Sequence, residues 1–271
     1  MHFCLHTPET TAEALCIKRE TGGAWLAGGT VMLVNNHQGK QISGDLISLE
    51  KLDELKKITE TESEIVIGSL STFDDIENCE AIRKYAFALW QAACTVGGPQ
   101  IRHRATIGGN IAVASPASDG VTPLMALDAS VRLISENGER YVKLTDFYTG
   151  KFQTAMRKEE LLTDVIIPKA ANESRFVKVG KRQALAVSSI NAAIAKTENG
   201  IRFCVGSSAP EVRYCVKTSE ALNKGNLDKA KEYLQSEISP IDDRWGTAEY
   251  RRNVAENLML SLYREMEEQN A

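Results

Sequence analysis

Two Glu-Asn-Gly segments, at residues 136–138 and 198–200, constrain this chain more than any other feature. Each lies between stretches that read as strands: residues 131–135 and 140–143 around the first, 190–196 and 201–205 around the second. Asn-Gly between alternating segments is the strongest short-range hairpin signal, because a tight turn asks both central residues to take positive φ. Hairpins are therefore expected at both places. Elsewhere strands and helices are mixed rather than strictly alternating, so the expected architecture is α+β in two domains.

Local signals fill in the rest. Thr7-Pro8-Glu9 reads as a helix start, with Thr7 as cap and proline at the first helical position. Ala12, Leu15, Cys16 and Arg19 then mark one face, and Gly22-Gly23 ends the helix. Ala24-Trp25-Leu26 reads as a short buried strand and residues 45–49 as another, while residues 55–58 and 65–68 read as a hairpin across a polar tip at 60–64. Thr72-Phe73-Asp74-Asp75 resembles a capping box. Ile82, Tyr85, Ala86, Leu89, Trp90 and Ala93 recur at helical steps. The polar stretch 169–174 is the expected domain boundary. Three strands and then helices are expected beyond it, the last at about residues 247–268 with Tyr250, Val254, Leu258, Leu262 and Met266 as its apolar ladder.

Composition narrows the function classes. The 271 residues exceed the ~100–200 of one typical domain, so one large or two modest domains are expected. A hydrophobic share of 43 % with 25 % charged residues rules out wholesale disorder. Thirty-two basic against thirty-six acidic side chains leave a net charge of −4, which argues against nucleic-acid binding by phosphate neutralisation. No apolar run approaches the ~20 residues that cross a bilayer, and the first residues carry no secretory pattern. No membrane association and a cytoplasmic location are the simplest expectation. Six cysteines without a CxxC pair, and four histidines without a metal-ligand spacing, read as buried thiols and as a chain with no metal of its own.

Neither GxGxxG nor GxxxxGK[ST] is present, so the two commonest phosphate-binding solutions are absent. Two glycine pairs stand in their place: Leu26-Ala27-Gly28-Gly29-Thr30 leaving a strand, and Ala105-Thr106-Ile107-Gly108-Gly109-Asn110 some eighty residues on. Adjacent glycines let backbone N–H groups turn toward one point with no Cβ in the way. Thr30, Thr106 and Asn110 add side-chain donors. The pairs read either as plain turns or as two loops closing on a dinucleotide's pyrophosphate.

The stretch Pro99-Gln100-Ile101-Arg102-His103-Arg104 running into Thr106-Ile107-Gly108-Gly109-Asn110, followed by Ala114-Ser115-Pro116-Ala117-Ser118-Asp119, resembles the FAD-binding medium subunits of molybdenum hydroxylases, the xanthine and carbon monoxide dehydrogenase family. The likeness continues through residues 124–129, 159–162, 166–168 and 176–182, then Ala209-Pro210, Asp243-Arg244 and Tyr250-Arg251. It implies a two-subdomain, vanillyl-alcohol-oxidase (PCMH)-like FAD-binding domain over residues 1–168, with subdomains at about 1–55 and 56–168. A smaller C-terminal domain over 174–271, with a three-stranded antiparallel sheet and helices, would follow. It further implies FAD contacts at Leu26, Ala27, Gly28, Gly29, Thr30, Val31, Met32 and Leu33, at Val96, at Thr106, Ile107, Gly108, Gly109 and Asn110, and at Asp119, Leu162 and Lys178. His103 replaces the family's usual asparagine, and Val31 and Met32 stand where many members have a polar residue.

The resemblance also implies a function. FAD would be held in this chain, and molybdopterin and iron–sulfur clusters on partner subunits. Electrons would come from an iron–sulfur partner and go to NAD or another acceptor, and no general acid or base is marked. The rival readings are a standalone flavin-dependent reductase of the same superfold and a flavin-free assembly subunit. Local readings also stand beside the family's. Asp119 reads as an N-cap for residues 121–127, Lys178 as solvent-facing, Leu162 and Trp25 as core, and Arg102 and Arg104 as partners of neighbouring charges.

Overall fold

The structure, a computed structural model, describes residues 4–38, 44–182 and 185–268. A three-stranded parallel sheet opens it, built from β1 (Leu5–His6), β2 (Ala24–Leu26) and β3 (Leu46–Ser48) in the order β1-β3-β2. Two helices connect these strands, α1 (Thr11–Thr21) and α2 (Thr30–His37). The cap of α1 is Thr10, whose hydroxyl accepts from the Glu13 amide, and not Thr7. Proline thus lies outside the helix, and the face that α1 buries is Ala14 and Leu15, while Ala12 and Arg19 are exposed. Gly22 does end it, in the left-handed region at φ 65°. Trp25 and Leu26 on β2 are only half-buried.

A second sheet is antiparallel. Its strands are β4 (Ile58–Glu60), β5 (Glu64–Gly68), β6 (Ser130–Ser135), β7 (Gly138–Lys143) and, beyond the short helix α9 (Leu144–Phe147) and the small pair β8 (Tyr148–Gly150) and β9 (Gln153–Thr154), β10 (Leu161–Pro168). The order is β4-β5-β10-β6-β7. Leu55 belongs to a 3-10 turn and not to the first strand of the hairpin. Between β5 and β6 run α3 (Phe73–Glu77), α4 (Glu80–Tyr85), α5 (Phe87–Thr95), α6 (Pro99–Arg102), α7 (Ile107–Ala112) and α8 (Val121–Ala126). The capping box before α3 is present, with Thr72 and Asp75 bonding each other's backbone. The helical ladder at 82–93 is split at Ala86 into α4 and α5.

Both Asn-Gly hairpins form, yet neither asparagine takes a positive φ; only Gly138 (123°) and Gly200 (105°) do. The glycine pairs with Ser135 or Thr197 as the first residue of the returning strand, where it absorbs the twist mismatch of an ordinary turn.

The passage beyond Pro168 is tighter than a polar linker. The strand β11 (Ala171–Gly180) already begins at Ala171 and pairs with β12 (Ser188–Thr197), then β13 (Gly200–Gly206) and β14 (Arg213–Tyr214). Four strands therefore form this sheet, not three; the fourth has two residues and lacked a periodic signature. The strand β12 is buried on both faces. Ile190, Ala192 and Ile194 join one core with the helices α10 (Val216–Asn223), α11 (Leu227–Glu237) and α12 (Ala248–Glu268). Ala193 and Ala195 face the other core, with Phe73, Leu89 and Leu124. The buried line of α12 is Arg251, Ala255, Met259, Leu262 and Met266: the last two are as expected, the first three lie one residue on from Tyr250, Val254 and Leu258, and Tyr250 is exposed. Arg251 is tolerated there because its guanidinium pairs with Asp243 at 2.6 Å and donates to the Ile241 carbonyl.

The buried-thiol expectation holds for two of the six cysteines. Cys204 and Cys215 are buried, and burial pushes the Cys204 thiol up to about 12; Cys4 is exposed and the other three are half-buried. No helix among the described residues is long and apolar enough to cross a membrane. No group of three or more His, Cys, Asp or Glu side chains among them could hold a metal.

Candidate functional site

The two glycine loops meet. A Cβ on Gly28 would lie 1.8 Å from the carbonyl oxygen of Arg104 and 3.3 Å from the Ala105 Cα, so the first loop presses directly on the backbone that leads into the second. Gly29, at φ 73°, then turns the chain into α2. The second loop is pinned from behind. Phe73 donates its amide to the Ala105 carbonyl, and Ile107 and Gly108 donate theirs to the carbonyls of Ser71 and Ser69. A Cβ on Gly108 would strike Ser69 at 2.6 Å, so glycine serves there for packing.

Between the loops lies a cleft of about 450 Å³, in the ~300–1,000 Å³ range of small-molecule sites. Its walls include Leu26, Ala27, Gly28, Gly29, Thr30, Val31 and Met32 from the first loop, Thr106, Gly109 and Asn110 from the second, and Val96 and Asp119. Twelve of the seventeen residues named from the sequence are thus brought to one cleft.

Five are not. Leu33 is exposed on α2 beyond the wall. Ile107 and Gly108 are buried behind the second loop. Leu162 is core, 4 % exposed, on β10 opposite Leu133. Lys178 lines a separate pocket of about 310 Å³ with Cys94, Gly97, Gly98 and Arg182. It is not solvent-facing: its side chain is 8 % exposed, and its ammonium bonds the Asp119 carboxylate at 2.6 Å and the Thr95 carbonyl at 3.0 Å. Lys178 thereby reaches the cleft through Asp119. Nor does Asp119 cap α8, whose cap is Gly120 without a side-chain bond.

The two loops offer different chemistry. The first turn of any α-helix leaves its amides without intrahelical acceptors. In α2 these belong to Thr30, Val31 and Met32, all on the cleft wall, at the electropositive helix end. The apolar side chains at 31 and 32 do not alter that backbone offer. In the second loop, by contrast, the amides of Gly109 and Asn110 donate to the Thr106 hydroxyl and carbonyl, so its N–H groups are not turned into the cleft. What it presents is the bare surface of Gly109 and the Asn110 side chain, whose Oδ1 is turned inward beside Gly120, buried and without a hydrogen-bond partner. An anionic group at α2, a hydroxyl donor at Asp119 and an apolar slot beside Val96 together suit an extended nucleotide such as FAD.

Several wall residues escaped sequence reading. Trp25 lines the cleft, with its indole N–H donating to the Glu160 carbonyl at 2.8 Å, and Phe73, Ile101 and Val187 add apolar surface. Nothing local in the sequence sets them apart from other apolar residues. Arg102 and Arg104 do pair with neighbouring charges, Glu77 and Glu50, and neither lines the cleft. His103 is exposed near Asp74 and is also outside the wall.

Comparison with known proteins agrees with this geometry. Residues 1–170 match the family described as the FAD binding domain in molybdopterin dehydrogenase, and residues 175–266 match the CO dehydrogenase flavoprotein C-terminal domain. The chain is 40 % identical over 214 residues to the nicotinate dehydrogenase FAD-subunit of Eubacterium barkeri, covering 76 % of this chain and 72 % of that one. It is 28 % identical over 268 residues to the xanthine dehydrogenase FAD-binding subunit of Escherichia coli O157:H7, covering 93 % and 92 %. A chain of the carbon monoxide dehydrogenase of Hydrogenophaga pseudoflava superposes with a TM-score of 0.90 at 24 % identity, over 97 % of each chain, which shows the shared fold.

Proposed function

This chain belongs to the FAD-binding subunit family of the molybdenum hydroxylases, which are oxidoreductases, and from that premise we propose that it is an electron-transfer subunit, taking electrons from an iron–sulfur partner and passing them to NAD or another acceptor. Hydroxylation itself would take place on a large molybdopterin-binding subunit. The complex would be a cytoplasmic heteromer, with FAD held in a domain over residues 1–168 and a C-terminal domain over 174–271 beside it. Bound FAD supplies redox chemistry that accepts electrons singly or in pairs.

The chain's own part is binding and orientation. The first-turn amides of α2 would hold the pyrophosphate, with Gly28 seating the loop on the Arg104 backbone and Gly29 turning the chain into the helix. The Asp119 carboxylate would accept from a sugar or ribitol hydroxyl, and the Asn110 amide N–H on the same wall would donate to the ligand. Lys178, carried by Asp119, would set a positive charge close to the flavin, with Leu162 packing behind. The single observation that supports the reading best is the meeting of Gly28 with the Arg104 backbone, which closes the two loops on a cleft walled by the first turn of α2 and by Asp119.

Titration of the purified chain with FAD tests it: flavin absorption bands should appear with one equivalent bound. Material purified from its own cells should carry iron–sulfur and molybdopterin subunits. A colourless chain that cannot be reconstituted would overturn the proposal. Asn110→Ala gives a sharper check, since deleting an acceptor that the protein leaves unsatisfied should not destabilise the apoprotein. Its unfolding midpoint is expected to stay level or rise, while FAD binds about tenfold more weakly, one hydrogen bond's worth. A lower midpoint with unchanged FAD affinity would make Asn110 structural only.

A further inference from the structure

We propose that Asn191, a residue of the C-terminal sheet, is a positioning residue for the cleft: it fixes the Asp119 carboxylate, and with it Lys178, so that one carboxylate lone pair is left for the ligand. With FAD in the cleft, as proposed above, that lone pair is an acceptor for a cofactor hydroxyl.

Asn191 stands where the fold asks for an apolar side chain. On β12 it shares its face with Ala193 and Ala195, which are core, and it is 0 % exposed. Its cross-strand neighbours are Lys178 on β11 and Gly206 on β13. The next row of that face, Phe176, Ala193 and Cys204, is wholly apolar. A polar row thus adjoins an apolar one on that face, and it lies against Asp119 and α8. The glycine in that row has a steric reason: a Cβ on Gly206 would lie 2.3 Å from Asn191 Oδ1 and 2.8 Å from the Thr122 hydroxyl.

The hydrogen bonds set the amide's orientation. Thr122 Oγ1 donates to Asn191 Oδ1 at 2.6 Å, so the amide nitrogen faces the other way and donates to Asp119 Oδ1 at 3.0 Å. The reverse orientation would set the amide oxygen against a carboxylate, which as an anion has no proton to give. The Ser188 hydroxyl donates to the same Asp119 oxygen, and Lys178 donates to Oδ2. A carboxylate offers about four acceptor sites. Three are occupied, and the fourth, on Oδ2, remains for whatever fills the cleft that Asp119 lines. Without the Thr122–Asn191 pair, Asp119 Oδ1 would keep only the Ser188 hydroxyl, and the carboxylate and Lys178 would be held less firmly in this orientation.

Thr122 separates positioning from packing. Thr122→Val keeps the volume and removes the hydroxyl, whereas Thr122→Ser keeps the hydroxyl and removes the methyl. The full chain and each variant would be titrated with oxidised FAD, and the midpoint potential of the bound cofactor and the unfolding midpoint recorded. Thr122→Val is expected to bind FAD about tenfold more weakly, with Thr122→Ser within about twofold of the natural chain. Asn191→Asp, which turns a donor into a second carboxylate facing Asp119, should lose more. It should also lower the ratio of reduced to oxidised affinity about tenfold, a shift of about 30 mV for a two-electron couple. Thr122→Val binding as tightly as the natural chain, or Thr122→Ser falling as far as Thr122→Val, would overturn the positioning role. A natural chain that binds no FAD would overturn the function proposed above, and this role with it.

Discussion

Gly28→Ala is expected to weaken FAD uptake about a hundredfold or more, since each 1.4 kcal/mol is tenfold and the clash cannot be relieved locally. The new Cβ would sit 1.8 Å from the Arg104 carbonyl oxygen and 2.7 Å from its carbon, both backbone atoms that have no rotamer to change. The Arg104–Ala105 segment would have to retreat, yet it is held by Ala105 donating to the Ile101 carbonyl and accepting from the Phe73 amide. The two loops would part, and the first-turn amides of α2 would lose their register with the opposite wall. Gly22→Ala is the control. Gly22 also needs its freedom, at φ 65°, but nothing lies within 4 Å of its Cβ position. That variant should cost about 1–2 kcal/mol of stability for the left-handed backbone and leave FAD affinity unchanged. FAD titration with thermal unfolding of both variants decides the matter. Gly28→Ala binding FAD like the natural chain would mean that loop contact does not shape the site.

The contrast between these two glycines also shows what was legible in the sequence. Glycine announces a turn or a close approach, and the places of the hairpins at 138 and 200, the end of α1 and the two cleft loops were legible from it, though neither hairpin asparagine takes a positive φ and the second loop's amides bond Thr106. The purpose of each glycine was not legible, because it depends on atoms distant in sequence: Arg104 against Gly28, Ser69 against Gly108. Asp119 fails for the same reason. A carboxylate before a helix reads as a cap, while its partners Lys178, Ser188 and Asn191 lie 59 to 72 residues further on. On α12 a strict i+4 ladder drifts off the 3.6-residue helical repeat, and the true face was hidden behind a charged residue, Arg251, that Asp243 neutralises. Leu162 reads the same way in either role, as an apolar residue on a strand.

Glu160→Gln should destabilise the chain by about 2–3 kcal/mol at neutral pH, less than the ~3–5 of a fully buried pair because Arg140 is partly exposed. Its side chain is 4 % exposed and accepts both Nε and Nη2 of Arg140, at 2.6 and 2.9 Å, together with the Arg157 amide at 2.7 Å. The Glu160 carbonyl holds the Trp25 indole on the cleft wall, so this pair braces the site from outside. The Arg140 guanidinium, first among the causes, holds the Glu160 carboxyl below the ordinary glutamate range, against the opposing push of burial. A group whose pKa is depressed on folding stabilises the protein fully above its unfolded value, about 4.3 for glutamate. That contribution is lost as pH falls from there through the folded value. The other lowered carboxylates are unchanged by the substitution, so the difference between natural and Glu160→Gln stability isolates this one group. Plotted against pH from denaturant unfolding, the two curves should run parallel above about pH 6 and converge below about pH 4. A constant gap into acid would show that the loss came from altered hydrogen-bond shape rather than from charge. No gap at any pH would mean that the pair adds nothing to the fold.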